Sequence, residues 1–144
     1  MSDWTEQAHR ALERAGYRTS APRGAVVDAV GELGCGATAA EIRDRADAGG
    51  RRVGLASVYR ALELLDRLRL VQRVELGDGG TRYEPFLRDG HHHHLVCEHC
   101  GQVAAFEDSE LERTIERLTG RVEFAIDALD VTLRGVCPAC RARR

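Results

Sequence analysis

Cys97-Glu98-His99-Cys100 and Cys137-Pro138-Ala139-Cys140 are two CxxC turns separated by 36 residues in the last third of a 144-residue chain. A CxxC turn lets two thiolates grip one ion. Two such turns supply the four-sulfur tetrahedron that zinc favours. The gap is longer than that of a zinc ribbon, so the pairs tie together two ends of one small domain rather than build a finger. Thioredoxin-type redox chemistry needs one CxxC, and two pairs point to a closed structural zinc held by Cys97, Cys100, Cys137 and Cys140. Losing that zinc should loosen the whole domain. The fifth cysteine, Cys35, stands alone between Gly34 and Gly36 and reads as a small residue in a turn.

Four consecutive histidines, His91 to His94, precede the first CxxC. On a strand, His91 and His93 face one side and His92 and His94 the other. One run can thus feed two metal sites, separate from the closed one. Glu84 before the run and Glu112 after it can each add an oxygen ligand. For Glu112 a second role is open, because Ser109-Glu110-Leu111-Glu112 also fits a capping box. Asp127 and Asp130 are further acidic candidates and read more simply as solvated strand residues. A closed zinc beside a more open site suggests a metal sensor.

Hydrophobic residues make up 43% and charged residues 31% of the chain, the balance of a soluble globular protein. Aromatics are 5%, so the core must rest on Leu, Val, Ala and Ile. No run of about 18 apolar residues suits a membrane span. The start, Met1-Ser2-Asp3-Trp4, lacks the basic and apolar regions of a secretory leader. The expectation is a cytoplasmic protein with reduced thiols, where clustered cysteines bind metal rather than pair. Net charge is −2, carried as +1 over residues 1–83 and −3 over 84–144, and every basic residue is Arg. Any contact with nucleic acid must therefore rest on local Arg placement rather than on bulk charge.

The pattern predicts helices first. One runs from about Thr5 to Ala15 and breaks at Gly16. Another starts near Pro22, which suits a first turn, and ends at Gly34 and Gly36. Thr38-Ala39-Ala40-Glu41 fits a capping box for a third helix reaching about Ala48. A fourth, from near Ala56, sets Val58, Ala61, Leu62, Leu65 and Leu68 on one face and Ser57, Tyr59, Arg60, Glu63 and Arg67 on the other. Leu70–Glu75 and Thr81–Glu84 then read as strands joined by Gly77-Asp78-Gly79-Gly80. Helices followed by a hairpin are the order of a winged helix-turn-helix, with the fourth helix as the major-groove reader. Residues 85–90 read as a hinge. Beyond it, strands are expected over His93–Cys97 and Gln102–Phe106, a helix over Ser109–Leu118, and one or two strands over Val122–Val136. The fold class is α+β: a winged helix-turn-helix over residues 1–84, then a small α/β unit over 91–144. A unit that small usually needs a metal staple or a partner subunit.

Taken together, Gly54-Leu55-Ala56-Ser57-Val58-Tyr59-Arg60 and His91-His92-His93-His94-Leu95-Val96-Cys97, followed by Cys100, Gly101 and the second CxxC, resemble the ferric uptake regulator family of bacterial metalloregulators. The resemblance covers nearly the whole chain. It implies a homodimer whose C-terminal unit is the dimerisation domain. It also implies a repressor that binds a palindromic double-stranded DNA operator when its regulatory metal is loaded. Carried over residue by residue, Ser57, Tyr59 and Arg60 face DNA, and Arg23 meets a phosphate. Glu84, His92 and His94 match the regulatory metal site. His91, His93 and Glu112 match a second site. Zinc or iron(II) are the implied effectors, with manganese or nickel behind. Some positions depart from the family pattern. Gly36 stands where the family often has a histidine, with Cys35 beside it as a softer substitute. Leu129 stands where the second site's histidine is usual, and Ala105 replaces an acidic residue. Glu84 lies one residue further from the histidines than usual, and the family's proline near Arg23 is shifted to Pro22. These departures bear on which metal is sensed.

A peroxide-sensing repressor would share nearly every one of these motifs. A zinc storage or chaperone protein would leave the Gly54–Arg60 helix without a purpose. A zinc hydrolase needs an open zinc with a polarised water and a general base, and the chain has no HExxH, so an enzyme is not expected.

Overall fold

In the computed structural model, which describes residues 3–18, 20–75, 80–86, 93–126, 129 and 131–143, the second and third helices start at side-chain caps. Ser20 accepts from the Arg23 amide and opens α2 (Ala21–Leu33), with Pro22 in the first turn where its missing N–H costs nothing. Thr38 and Glu41 form the reciprocal box that opens α3 (Ala39–Ala48). Asp47 then accepts from the Val53 amide at 3.0 Å, fixing the turn into α4 (Leu55–Arg67). Upstream, α1 (Asp3–Arg14) buries Trp4, Thr5, Ala8 and Leu12. The Trp4 indole donates to the Leu70 carbonyl at 2.9 Å, so α1 is pinned to the segment just before the hairpin.

Two units divide the chain, Met1–Leu87 and Arg88–Arg144. In the first, α2 is the centre and touches α1, α3 and α4. It buries residues on nearly every side (Ala25, Val26, Val27, Ala29 and Val30), as a helix surrounded by neighbours must. α4 adds Val58, Ala61, Leu62, Leu64 and Leu65 to that core. The sheet beside it has the order β1 (Ala37–Thr38), β3 (Thr81–Pro85), β2 (Val71–Glu75), all antiparallel. This is the winged helix-turn-helix expected, with two refinements. The two-residue β1 is an addition to the predicted hairpin. Pro85, placed by the sequence in the hinge, ends β3 opposite Val71, and the Phe86 amide donates to the Leu70 carbonyl at 2.9 Å. The predicted turn at 77–80 and residues 87–90 of the predicted hinge lie outside the described residues, apart from Gly80.

The second unit is a three-stranded sheet in the order β5 (Val103–Phe106), β4 (His93–Cys97), β6 (Thr132–Gly135). β4 pairs antiparallel with β5 and parallel with β6. α5 (Ser109–Thr119) lies between β5 and β6 in the chain, and α6 (Pro138–Ala142) follows β6. Two expectations need correction here. Asp108, not Ser109, caps α5, accepting from the Leu111 amide at 2.8 Å. Ser109 is the first helical residue, so the carboxylate of Glu112 is released from the predicted box. Of the one or two strands expected over Val122–Val136, the described residues form one, at 132–135. Phe124 and Ile126 lie in irregular chain, and Phe124 is 81% exposed.

Candidate metal centre

The cysteine quartet is assembled by the sheet. Cys97 ends β4 and pairs in register with Gly135 of β6, and the parallel ladder delivers Cys137 two residues later. The Glu98 amide donates to the Gly135 carbonyl at 2.8 Å and extends that ladder into the turn. Gly101 adopts a φ of 77°, a left-handed geometry open to glycine at little cost. This lets its amide return to the Cys97 carbonyl at 2.9 Å, closing the first CxxC into a knuckle. Cys137 caps α6, and Cys140 lies one turn on.

One ligand atom from each of Cys97, Cys100, Cys137 and Cys140 lies within 4.8 Å of all the others. Cys100 Sγ and Cys137 Sγ are 3.8 Å apart, and none of the five cysteines, all of them among the described residues, is in a disulfide. Thiolates at the corners of a zinc tetrahedron, each about 2.3 Å from the ion, are about 3.8 Å from one another. A disulfide needs about 2.05 Å. The spacing therefore fits a metal and excludes a bond. The electrostatics agree. The Cys137 amide, which donates to Cys97 Sγ at 3.3 Å, and then the Cys100 amide pull the Cys97 thiol from 9.0 down to about 6. Cys140 is pushed up to about 12, first by its hydrogen bond with the Cys137 sulfur and then by burial. The thiolate form is thus favoured at Cys97 and disfavoured at Cys140, where a cation would have to displace the proton.

His93 and Glu112 also meet. His93 Nε2 lies 2.5 Å from Glu112 Oε1, joining β4 to α5, and the Phe106 ring packs on the imidazole at 5.4 Å between centroids. His93 is 1% exposed and His94 is fully buried. Successive positions on β4 face opposite sides of the sheet, as the alternation of the run requires. His91, His92, Asp127 and Asp130 lie outside the described residues.

In the first unit Glu84 is fully buried on β3, and the Gln72 side-chain amide opposite it donates to its Oε1. A Glu84 carboxylate oxygen and Cys35 Sγ lie within 4.8 Å of one another. The resemblance offers Cys35 as a softer substitute for the family's histidine, while β1, which carries it toward Glu84, is too short to read from sequence. On α4, Tyr59 is 47% exposed and Arg60 is exposed, its guanidinium donating to Ser57 Oγ at 3.1 Å. Gly54 opens α4 without a side-chain cap, so its first amides are left to other acceptors. Arg51 and Arg52, exposed just ahead of it, add cationic charge to the same end, a contribution the motif-based reading passed over. Arg23 is tethered instead: its guanidinium donates to the Arg18 carbonyl at 2.5 Å and lies 5.5 Å over the Tyr17 ring.

In the chain, a winged helix is followed by a sheet unit that gathers four cysteines at zinc spacing. The model of the ferric uptake regulator family matches residues 14–134. The chain belongs to that family, whose members are transcriptional regulators. It is 39% identical over 94 residues to the ferric uptake regulation protein of Bacillus subtilis, a stretch covering 63% of this chain and 62% of that protein. The match to the Campylobacter jejuni protein likewise spans only 58% of its length, at 33% identity. Against the Bordetella parapertussis protein the identity is 30% over the whole of both chains. The solved ferric uptake regulator of Helicobacter pylori, described as having three functional metal binding sites, superposes with a TM-score of 0.76 at 25% identity, over 96% of this chain and 91% of that one. That of Vibrio cholerae gives 0.74 at 28%, over 89% of this chain and 98% of that one.

Proposed function

We propose that this protein is a metal-responsive transcriptional repressor that binds a palindromic DNA operator as a homodimer and controls metal homeostasis genes. The observation that carries the reading is the exposed face of α4, where Tyr59 and Arg60 stand free of the core at an uncapped, arginine-flanked helix start. In this reading α4 enters the major groove. Arg60 and Arg23 meet phosphates, giving steep salt dependence. Tyr59 touches base edges or thymine methyls, and Ser57 orients Arg60. Cys97, Cys100, Cys137 and Cys140 hold a structural zinc, which when bound supplies four strong bonds to an otherwise weakly stapled unit.

Glu84, His92 and His94 are the proposed ligands of the regulatory divalent metal, zinc or iron(II). His91, His93 and Glu112 form the second, auxiliary set, and the His93–Glu112 contact supports their pairing. Glu84 precedes the linker in sequence and the histidines follow it, so loading this set links metal status to the pose of the winged helix. Operator half-sites sit at a set spacing, so a dimer engages both in one pose only. A near-complete switch needs a preference of roughly 5.5 kcal/mol.

The test is operator binding by fluorescence anisotropy, with the cysteine site kept zinc-loaded. Zinc, iron(II), manganese and nickel are titrated anaerobically at buffered free concentrations. Tight binding induced by one metal supports the repressor and names its effector. Absence of binding under every metal returns the storage reading. Tyr59→Ala is expected to lose discrimination between operator and random DNA while keeping zinc and dimer.

A further inference from the structure

The ligand set proposed for the regulatory metal leaves one nearby thiol unused. Ala37 pairs with Tyr83 and Thr38 with Arg82. One further step along this antiparallel ladder sets Gly36 level with Glu84. Arg82 Nη1 donates to the Gly36 carbonyl at 3.0 Å, holding the 34–36 turn on β3. Gly34 and Gly36 take φ of 71° and 52°, so the chain reverses tightly around Cys35. The outcome is a half-buried thiol whose sulfur lies within 4.8 Å of a fully buried carboxylate oxygen. A thiolate and a carboxylate that close together repel once both are ionised, and a divalent cation between them removes the repulsion. A soft sulfur donor beside a hard oxygen suits zinc, whereas iron(II) and manganese gain less from thiolate.

We infer that Cys35 is a thiolate ligand of the regulatory metal, shared with Glu84, and that it sets the site's preference toward a thiophilic divalent cation such as zinc. The inference rests on the reading of Glu84 as a regulatory ligand. Cobalt(II), a spectroscopic stand-in for zinc, separates the two. The full-length protein, its four-cysteine site filled with zinc, is titrated anaerobically with cobalt(II). The expected result is a sulfur-to-cobalt charge-transfer band in the near ultraviolet that grows with the bound cobalt. Cys35→Ser is expected to abolish the band and weaken cobalt binding by about 100-fold or more, beyond the 10–100-fold typical of an outer-shell loss. Its circular dichroism should match that of the wild type. Cys35→His should keep cobalt binding, lack the band and shift preference toward iron(II).

Cobalt binding that raises operator affinity without a charge-transfer band, or a band that survives in Cys35→Ser, overturns the role of Cys35 and leaves the regulatory site standing. If no cobalt binds beyond the zinc-filled cluster, the regulatory reading of Glu84 fails, and the inference fails with it.

Discussion

The two units of this chain are held together by different physics. Residues 1–87 bury a continuous apolar cluster running from Trp4 through Val26, Ile42 and Leu62 to Tyr83. In the second unit, α5 buries no residue, and the buried positions among the described residues are His93, His94 and Cys97. That unit instead exposes Leu95, Leu118, Val122, Phe124, Ile126 and Leu133. Its polar and sulfur-bearing groups sit inside while its large apolar groups sit outside. A fold of that kind is completed by something added to it: an ion at the cysteines and a covering surface over the apolar residues. The first unit has its apolar interior in place, and the second leaves its large apolar groups outside.

The sharpest way to break this contrast is to take the metal away. Apparent binding energies of structural zinc reach about 10–16 kcal/mol, more than the stability of a small domain. A strong chelator, or Cys97→Ser, is expected to abolish amide protection in β4, β5 and β6 while α2 and α4 keep theirs, as read by hydrogen exchange. Protection surviving in the second unit would mean that it carries a core of its own. Proton competition gives the same test a pH axis. Metal binding displaces protons from thiols, so affinity falls as pH falls. Above about 6, Cys97 is already thiolate and adds nothing to that slope. Below it, Cys97 must also lose a proton, and affinity should drop by a further factor of about ten per pH unit.

The converse substitution is Leu62→Ala. Leu62 is fully buried on α4, and its truncation should cost about 2–5 kcal/mol. Denaturation of the helical unit should shift by that amount while zinc content stays unchanged. Loss of zinc from this variant would show that the two units do not fold on separate terms.

Glu112→Ala should have a smaller effect. It leaves the His93 imidazole, 1% exposed, without the carboxylate 2.5 Å away. Stranding a buried polar group costs about 1–3 kcal/mol. The loss should appear as faster exchange in β4 and α5 with the zinc retained. Unchanged exchange would mean that the contact contributes nothing to holding the strand and helix together.

What could be read from the sequence followed the same division. Apolar spacing on α4 gave the right face, Val58, Ala61, Leu62 and Leu65, because a core existed to receive it. Alternation over residues 122–126 did not become a strand. Alternation reports a face that seeks burial, not which neighbour supplies the hydrogen bonds, and those residues remain exposed. The cysteine spacing was legible as chemistry, while the assembly of the quartet depends on the β4–β6 register, which no local pattern encodes. Cys35 could be named only through the family resemblance, for a related reason. A two-residue strand is defined by its partner, and only the pairing of Ala37 with Tyr83 brings the thiol beside Glu84.

Caps show both outcomes at once, and they supply the smallest predicted effect. Thr38 and Glu41 were readable because no competing cap precedes them, and both halves of the box are formed. At α5 the residue before Ser109 is Asp108, itself a strong cap, and it takes the role. Thr38→Ala should therefore cost about 1 kcal/mol, since the Glu41 amide loses its acceptor. Ser109→Ala should cost a few tenths of a kcal/mol or nothing, because alanine suits the first turn as well as serine does. Chemical denaturation of each unit, followed by its own probes, separates the two. Equal costs for the two substitutions would show that Ser109 shares the capping of α5 with Asp108.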